Sequence, residues 1–183
     1  MSAPRLPTTV DEYFTLPEDG SIRDELLDGV YVVSPEPTVR HQRAAMTLGR
    51  LLMPALAESH HLELFSVPGN IVLGPRTVVE PDVFVIRRPS SNAHWRDVEL
   101  PLLVVEILSP STARHDRWTK RRLYQRAGVP QYWIVDLDAR LIERWRPEDD
   151  RPELLMERIA WKPDDSTAAA EIDLRSYFAE ILD

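Results

Sequence analysis

The chain has 183 residues, no cysteine, sixteen prolines against six glycines, and a formal net charge of -8 from 22 basic and 30 acidic side chains. One domain is the default at this length, and the missing thiols exclude a disulfide framework and any thiolate metal or redox site. With 43% hydrophobic and 28% charged residues the composition is that of a soluble globular protein, and no apolar run approaches the roughly 20 residues of a membrane span.

In chain order, Thr9 before Val10-Asp11-Glu12 reads as a capped helix start that Pro17 to Gly20 soon ends. The opening residues lack a basic stretch followed by an apolar one, so a cytoplasmic protein without a secretory leader is expected. Asp28-Gly29, between two strand-like runs, predicts a tight hairpin, because both turn positions must tolerate positive φ. From Thr38 to about Glu58, apolar residues at 44, 45, 48, 51, 52 and 56 recur at helical spacing, and Pro54 should kink this helix or end its regular part. LELFSV (62–67), NIVL (70–73), VVEPDVFVI (78–86) and LLVVEILS (102–109) then read as core strands. Ser109-Pro110-Ser111-Thr112 supplies a turn and a cap for a helix running to Ala127, with Gly128 as its stop. Three more strands are expected in QYWIVD (131–136), LIERWR (141–146) and LLMERIAW (154–161), and DLRSYFAEIL (173–182) reads as a closing amphipathic helix. The sum is a single α/β (α+β) domain over residues 1–183, with a central mixed sheet flanked by helices and preceded by a helix and a hairpin.

Acidity argues against a nucleic-acid partner, whose phosphates attract lysine and arginine, but the charge is unevenly spread. Pro147 to Asp183 holds eleven acids and four bases, net -7, so the rest of the chain is close to neutral. Within that rest, Arg114 to Arg126 carries six bases and one acid, Asp116.

Glu106 stands out inside LLVVEIL, a run apolar on both sides of the pleat. A carboxylate there costs several kcal/mol unless a cation or hydrogen bonds compensate; the plainer reading is a strand end reaching solvent or an arginine. Asp82 follows Pro81 at the mouth of the preceding strand, where proline presents it in extended backbone; the plainer reading is a turn. Two such carboxylates on neighbouring strands would repel unless a divalent cation sat between them. Lys120 lies on the inward stripe Ala113, Asp116, Lys120, Leu123, Tyr124 and Ala127, where it needs an anionic partner; it could also pair with Asp116 on a solvated face. Arg114, Arg117, Arg121, Arg122 and Arg126 project elsewhere, with Trp118. His41 opens the long helix as a cap or a site residue, whereas His60, His61 and His94 read as loop histidines and His115 faces outward.

The order Pro81-Asp82, Glu106 on a strand, then Lys120 on the next helix resembles the PD-(D/E)xK nuclease superfamily. Within it the chain resembles the Uma-two family of bacterial restriction-endonuclease-like proteins. The resemblance rests on DELLDG (24–29), His41, EPD (80–82), VVEILSPST (104–112), Asp116, Lys120 and Tyr124 at four-residue intervals, and GVPQYWIVD (128–136). In place of the superfamily's strand lysine stands Leu108, so the lysine is expected to have migrated to Lys120.

The resemblance implies a restriction-endonuclease-like core and metal-dependent hydrolysis of DNA phosphodiesters. Asp82, Glu106 and Lys120 would be catalytic. Asp82, Glu106, the backbone carbonyl of Ile107 and Glu25 would hold Mg²⁺ or Mn²⁺; without cysteine, carboxylates are the natural ligands. His41, Asp116 and Tyr124 would support the site, while Arg114, Arg117, Arg121 and Arg122 would contact DNA. A homodimer is the family expectation. The competing reading is a catalytically degenerate nuclease fold serving as a DNA-binding or oligomeric interaction module, with Trp133, Trp145 and Trp161 on sheet or dimer surfaces.

Overall fold

The computed structural model describes residues 5–17, 23–57, 59–66, 69–165 and 168–183; the expected helix end at Glu58, strand end at Val67 and stop at residues 18–20 lie outside them. Thr9 caps helix α1 (Val10–Tyr13), its side chain accepting from the Glu12 amide at 3.2 Å. Asp28 and Gly29 take φ of 53° and 84° and join β1 (Arg23–Leu27) to β2 (Val30–Ser34), with Leu27 opposite Val30. A Cβ at Gly29 would meet only the movable end of the Arg76 side chain, so the positive φ is what calls for glycine there. Thr38 caps α2 (Val39–Leu56), which buries Ala44, Ala45, Leu48, Leu52 and Ala55 as the apolar spacing predicts. Pro54 falls in its last turn, where it removes one of the final ladder bonds, and the helix ends two residues later at Leu56.

The strands β3 (Leu62–Phe65), β4 (Ile71–Gly74), β5 (Thr77–Val79), β6 (Val83–Arg87) and β7 (Leu103–Ile107) come next. They are followed by α3 (Arg121–Ala127), β8 (Gln131–Asp136), β9 (Leu141–Trp145), β10 (Glu153–Leu155), β11 (Arg158–Trp161), β12 (Ala170–Asp173) and α4 (Leu174–Leu182). A six-stranded mixed sheet has the order β10-β9-β8-β7-β6-β3, in which β7 and β8 form the parallel pair and the other pairs are antiparallel. A parallel pair needs a crossover, and α3 provides it. A four-stranded sheet, β2-β1-β5-β4, and the hairpin β11-β12 complete the fold.

Alternation along the central strands assigns every side chain to one of two cores. Val83, Val85, Leu103, Val105, Trp133 and Val135 pack toward α2 and α4, with Leu48, Leu52 and Phe178. Phe84, Ile86, Val104, Tyr132 and Ile134 pack toward α3 and the four-stranded sheet, with Tyr124, Leu27 and Val79. Glu106 is on the second of these faces, in a strand buried along its whole length.

Five expectations need correction. VVEPDVFVI is two strands in two different sheets, broken at Glu80–Asp82, and LLMERIAW is likewise divided between β10 and β11 at Met156–Glu157. The helix before β8 is not α-helical throughout: His115–Lys120 forms a π-helical turn, with the Arg121 amide donating to the Asp116 carbonyl, before α3 begins. The chain also forms β12, where no strand was expected, and the final helix begins after it at Leu174. Trp133, Trp145 and Trp161 are core residues, not surface ones, with 0%, 7% and 2% exposure; Trp118, at 59%, is the exposed one. No helix among the described residues is long and apolar enough to cross a membrane.

Candidate active site

Antiparallel pairing of β6 with β7 sets Val83 opposite Val105, and continuing that register by one step brings Asp82 across from Glu106. Like charges in that relation repel, so the surrounding side chains must supply compensation. For Asp82 they do so on both oxygens. Arg23 of β1 reaches Oδ1 at 2.6 Å, while the Ile107 amide donates to Oδ2 at 2.7 Å and His41 Nε2 lies 3.1 Å from the same oxygen. Burial alone would push this carboxyl up, but His41, Arg23 and the Ile107 amide outweigh it and hold it at about 2.

Glu106 has the opposite balance. Its Oε1 sits 2.5 Å from the Lys120 ammonium and accepts the Tyr124 hydroxyl at 3.1 Å. Burial nevertheless pushes it well above the usual range, and Asp82, Asp116 and Glu25 add to the rise against the pull of Lys120. Two facing carboxyls are thus driven apart in acidity, a pattern typical of acid–base and metal sites.

Lys120 lies at the centre of the cluster. Besides Glu106, its Nζ is 2.9 Å from Glu25 Oε1 and 3.7 Å from Asp116 Oδ1, with only 4% of the residue exposed. Burial lowers its affinity for a proton, but the three carboxylates more than reverse that, so it stays charged. Glu25 Oε1 also accepts the Glu80 amide at 2.8 Å, tying β1 to the β5–β6 junction. Glu80 is itself buried and pushed up to about 7, chiefly by burial, with Arg23 opposing. The Asp116 carbonyl accepts the Tyr132 hydroxyl at 3.1 Å, which fastens the π-helical turn to the sheet.

The cluster borders a cleft of about 940 Å³. Arg23, Glu25, His41, Asp82, Glu106, Asp116 and Lys120 form one part of its wall, and the loops Ser34–Thr38 and Ser109–Ala113 form its sides. Five buried carboxylates, Glu25, Glu80, Asp82, Glu106 and Asp116, share two permanent cations, Arg23 and Lys120. Such an excess of hard oxygen donors suits a divalent cation. Among the described residues no three His, Asp or Glu side chains already converge as a finished cage; the carboxylates are turned toward the chain's own cations.

Residues 10–173 match a family, Uma2, whose description is "Putative restriction endonuclease". The chain belongs to the Uma2 family. Among curated proteins, "Uncharacterized protein slr1290" of Synechocystis is 27% identical over 157 residues, covering 85% of this chain and 82% of that one. Among solved structures, a "putative nuclease belonging to DUF820" from Anabaena variabilis superposes with a TM-score of 0.74 at 21% identity. The superposition covers 96% of this chain and all of that one. It establishes that the two chains share a fold.

In this Uma2 chain, Glu25, His41, Asp82, Glu106, Asp116, Lys120 and Tyr124 come together from β1, α2, the start of β6, β7, the π-helical turn and α3. Leu108 packs against the core, and Lys120, arriving from the helix, meets Glu106. The arginines divide. Arg114 and Arg122 are exposed, whereas Arg117 is held by Asp136 at 2.8 Å and Glu143 at 2.6 Å. Arg121 stacks over Trp145 at 4.6 Å and donates to Gln125. Arg23 and Glu80 are site residues that sequence reasoning did not single out. The charged triplet Arg23-Asp24-Glu25 opening a strand, and the acid before Pro81, were the available signals.

Proposed function

We propose that this Uma2 chain is a metal-dependent endonuclease that hydrolyses DNA phosphodiester bonds at the cluster of Asp82, Glu106 and Lys120. One observation carries the reading: Lys120 sits 2.5 Å from Glu106, itself across from Asp82, in a cleft wall with more buried carboxylates than cations. Asp82, Glu106 and the Ile107 carbonyl would hold Mg²⁺ or Mn²⁺, with Glu25 as a further ligand. When bound, the cation polarises the scissile phosphate, acidifies a water and offsets developing charge.

The remaining work falls to the protein. Lys120, buried and charged, stabilises the negative phosphorus-centred transition state and orients the attacking water. Tyr124 fixes the Glu106 carboxyl, His41 steadies Asp82, and Asp116 shares Lys120. Arg114 and Arg122, with exposed Trp118, would track the DNA backbone and stack on bases, while Arg117 and Arg121 shape that face from their anchored positions. A homodimer would place two such sites on the two strands.

The alternative, a degenerate fold that binds DNA or assembles without cutting it, is favoured by Leu108 and by the occupation of both Asp82 oxygens with protein donors. Plasmid relaxation in Mg²⁺ or Mn²⁺ separates the two. Cleavage by the unmodified chain, lost in Asp82→Asn, Glu106→Gln and Lys120→Ala, supports the nuclease; salt-sensitive DNA binding without cleavage in either metal supports the alternative.

A further inference from the structure

Among the described residues Arg23 is the one permanent cation that touches Asp82, and it holds two acids at once. One of its terminal nitrogens reaches Asp82 Oδ1 and the Glu80 carbonyl oxygen, each at 2.6 Å, while its Nε lies 3.4 Å from Glu80 Oε2. That Glu80 oxygen is buried and accepts no hydrogen bond, although a guanidinium edge faces it. Buried acceptors are almost always bonded, so an orphan beside a five-donor fork marks a second seat for that fork. Arg23 is also the more exposed partner, its side chain at 23% against 4% for Asp82, and it lines the cleft. Both residues line the cleft, with Arg23 the nearer of the two to solvent.

Resting on the metal reading above, the geometry assigns Arg23 the role of a latch on Asp82: it caps the carboxylate when no divalent cation is present and moves onto Glu80 when one arrives. The movement is short, because Nε is already within ion-pair distance of Glu80, and no charge is stranded by it. Asp82 exchanges one cation for another, and Glu80 gains the one displaced. Arg23 is thus a positioning residue, and Glu80 is its receiver.

The latch predicts a coupling that simple charge effects do not. Mn²⁺ titrated calorimetrically into the full chain should bind Arg23→Gln about tenfold tighter than the parent, since the competing cation is gone. Glu80→Gln should bind more weakly, because Arg23 then has no charged seat to move to. In the double variant the Glu80 substitution should lose most of that effect, a non-additivity expected only of groups that act through one another. Equal weakening by Glu80→Gln with and without Arg23 would overturn the latch, as would unchanged or weaker Mn²⁺ binding by Arg23→Gln. Should Arg23→Gln fail to fold, Arg23→Lys takes its place: it keeps the charge but cannot span both acids, and the same loss of coupling is expected. Asp82→Asn distinguishes the two levels. Mn²⁺ binding indifferent to that change would remove the metal reading itself, whereas binding that depends on Asp82 but shows no Arg23–Glu80 coupling removes the latch alone.

Discussion

Glu80 shows at the scale of one residue how charge in this site sets stability. Its carboxyl ionises near 4.5 in the unfolded chain and is raised to about 7 in the folded one, first by burial and then by Glu25. Between those values the folded chain holds a proton that the unfolded chain has released, so stability is fully present below pH 4.5 and is lost as pH rises through about 7. Glu80→Gln keeps the neutral shape, so its melting temperature should exceed that of the parent progressively across that window, with roughly 3 kcal/mol gained above it. A constant offset between the two melting curves at all pH values would contradict this. Lys120→Ala should be costly at any neutral pH, about 3–5 kcal/mol, because it leaves Glu25, Glu106 and Asp116 buried without their common cation. Glu106 and Lys120 were legible in the sequence for one reason, that a charged side chain in an apolar frame must find a partner, whereas Glu25 and Tyr124 came only with the family resemblance. Glu106 among valines and Lys120 on an inward stripe both satisfied that test. Arg23 and Glu80 did not, since each stands at the end of a strand beside other charged or turn residues, where exposure is the ordinary outcome.

At the scale of the element, local chemistry predicts the parts that short-range rules govern. The Thr9 cap, the Asp28-Gly29 hairpin and the Gly128 stop, with φ of 82°, all follow from which backbone angles and donors those residues tolerate; by the same rule Thr38, and not His41, caps the long helix. Thr38 has a second consequence, because its hydroxyl oxygen accepts the His41 amide at 3.2 Å and so sets the turn that aims His41 at Asp82. Thr38→Ala should cost about 1 kcal/mol of stability, seen as a lower denaturation midpoint. Nuclease activity should fall by more than that loss of folded population explains; an unchanged rate in the folded protein would show that His41 needs no such support. The π-helical turn at His115–Lys120 escaped sequence reading because amphipathic spacing survives a single wider turn: Asp116, Lys120, Leu123 and Tyr124 are all buried as an α-helix would also place them. The division of VVEPDVFVI escaped because alternation and strand propensity are the same on both sides of Pro81. Only long-range pairing decides that β5 joins one sheet and β6 another.

For the whole molecule, charge distribution matters more than the net value of -8. Seven of the excess negative charges belong to the last 37 residues, while Arg114, Trp118 and Arg122 are exposed around the helix that carries Lys120. Non-specific DNA affinity should therefore be weak and steeply salt-dependent. The double change Arg114→Ala, Arg122→Ala should lower that affinity and reduce the slope of log affinity against log salt by about 2, one for each phosphate that is no longer neutralised. Arg121→Ala should leave the slope alone, because that guanidinium is engaged by Trp145; equal slopes for all three proteins would place the DNA elsewhere. The mixed sheet flanked by helices was readable from the order of strands and helices, since apolar runs buried on both faces demand layers on both sides. The second sheet and the burial of Trp133, Trp145 and Trp161 were not, because which face a tryptophan covers depends on neighbours distant in sequence.

Glu106→Gln gives the sharpest test of the central claim. Glutamine keeps the shape of the side chain and removes a charge that burial and three nearby carboxylates oppose. The variant should therefore melt no lower than the parent near neutral pH, while plasmid cleavage in Mg²⁺ or Mn²⁺ disappears. Cleavage at the parent rate by a folded Glu106→Gln chain would contradict a phosphodiesterase site built on Glu106.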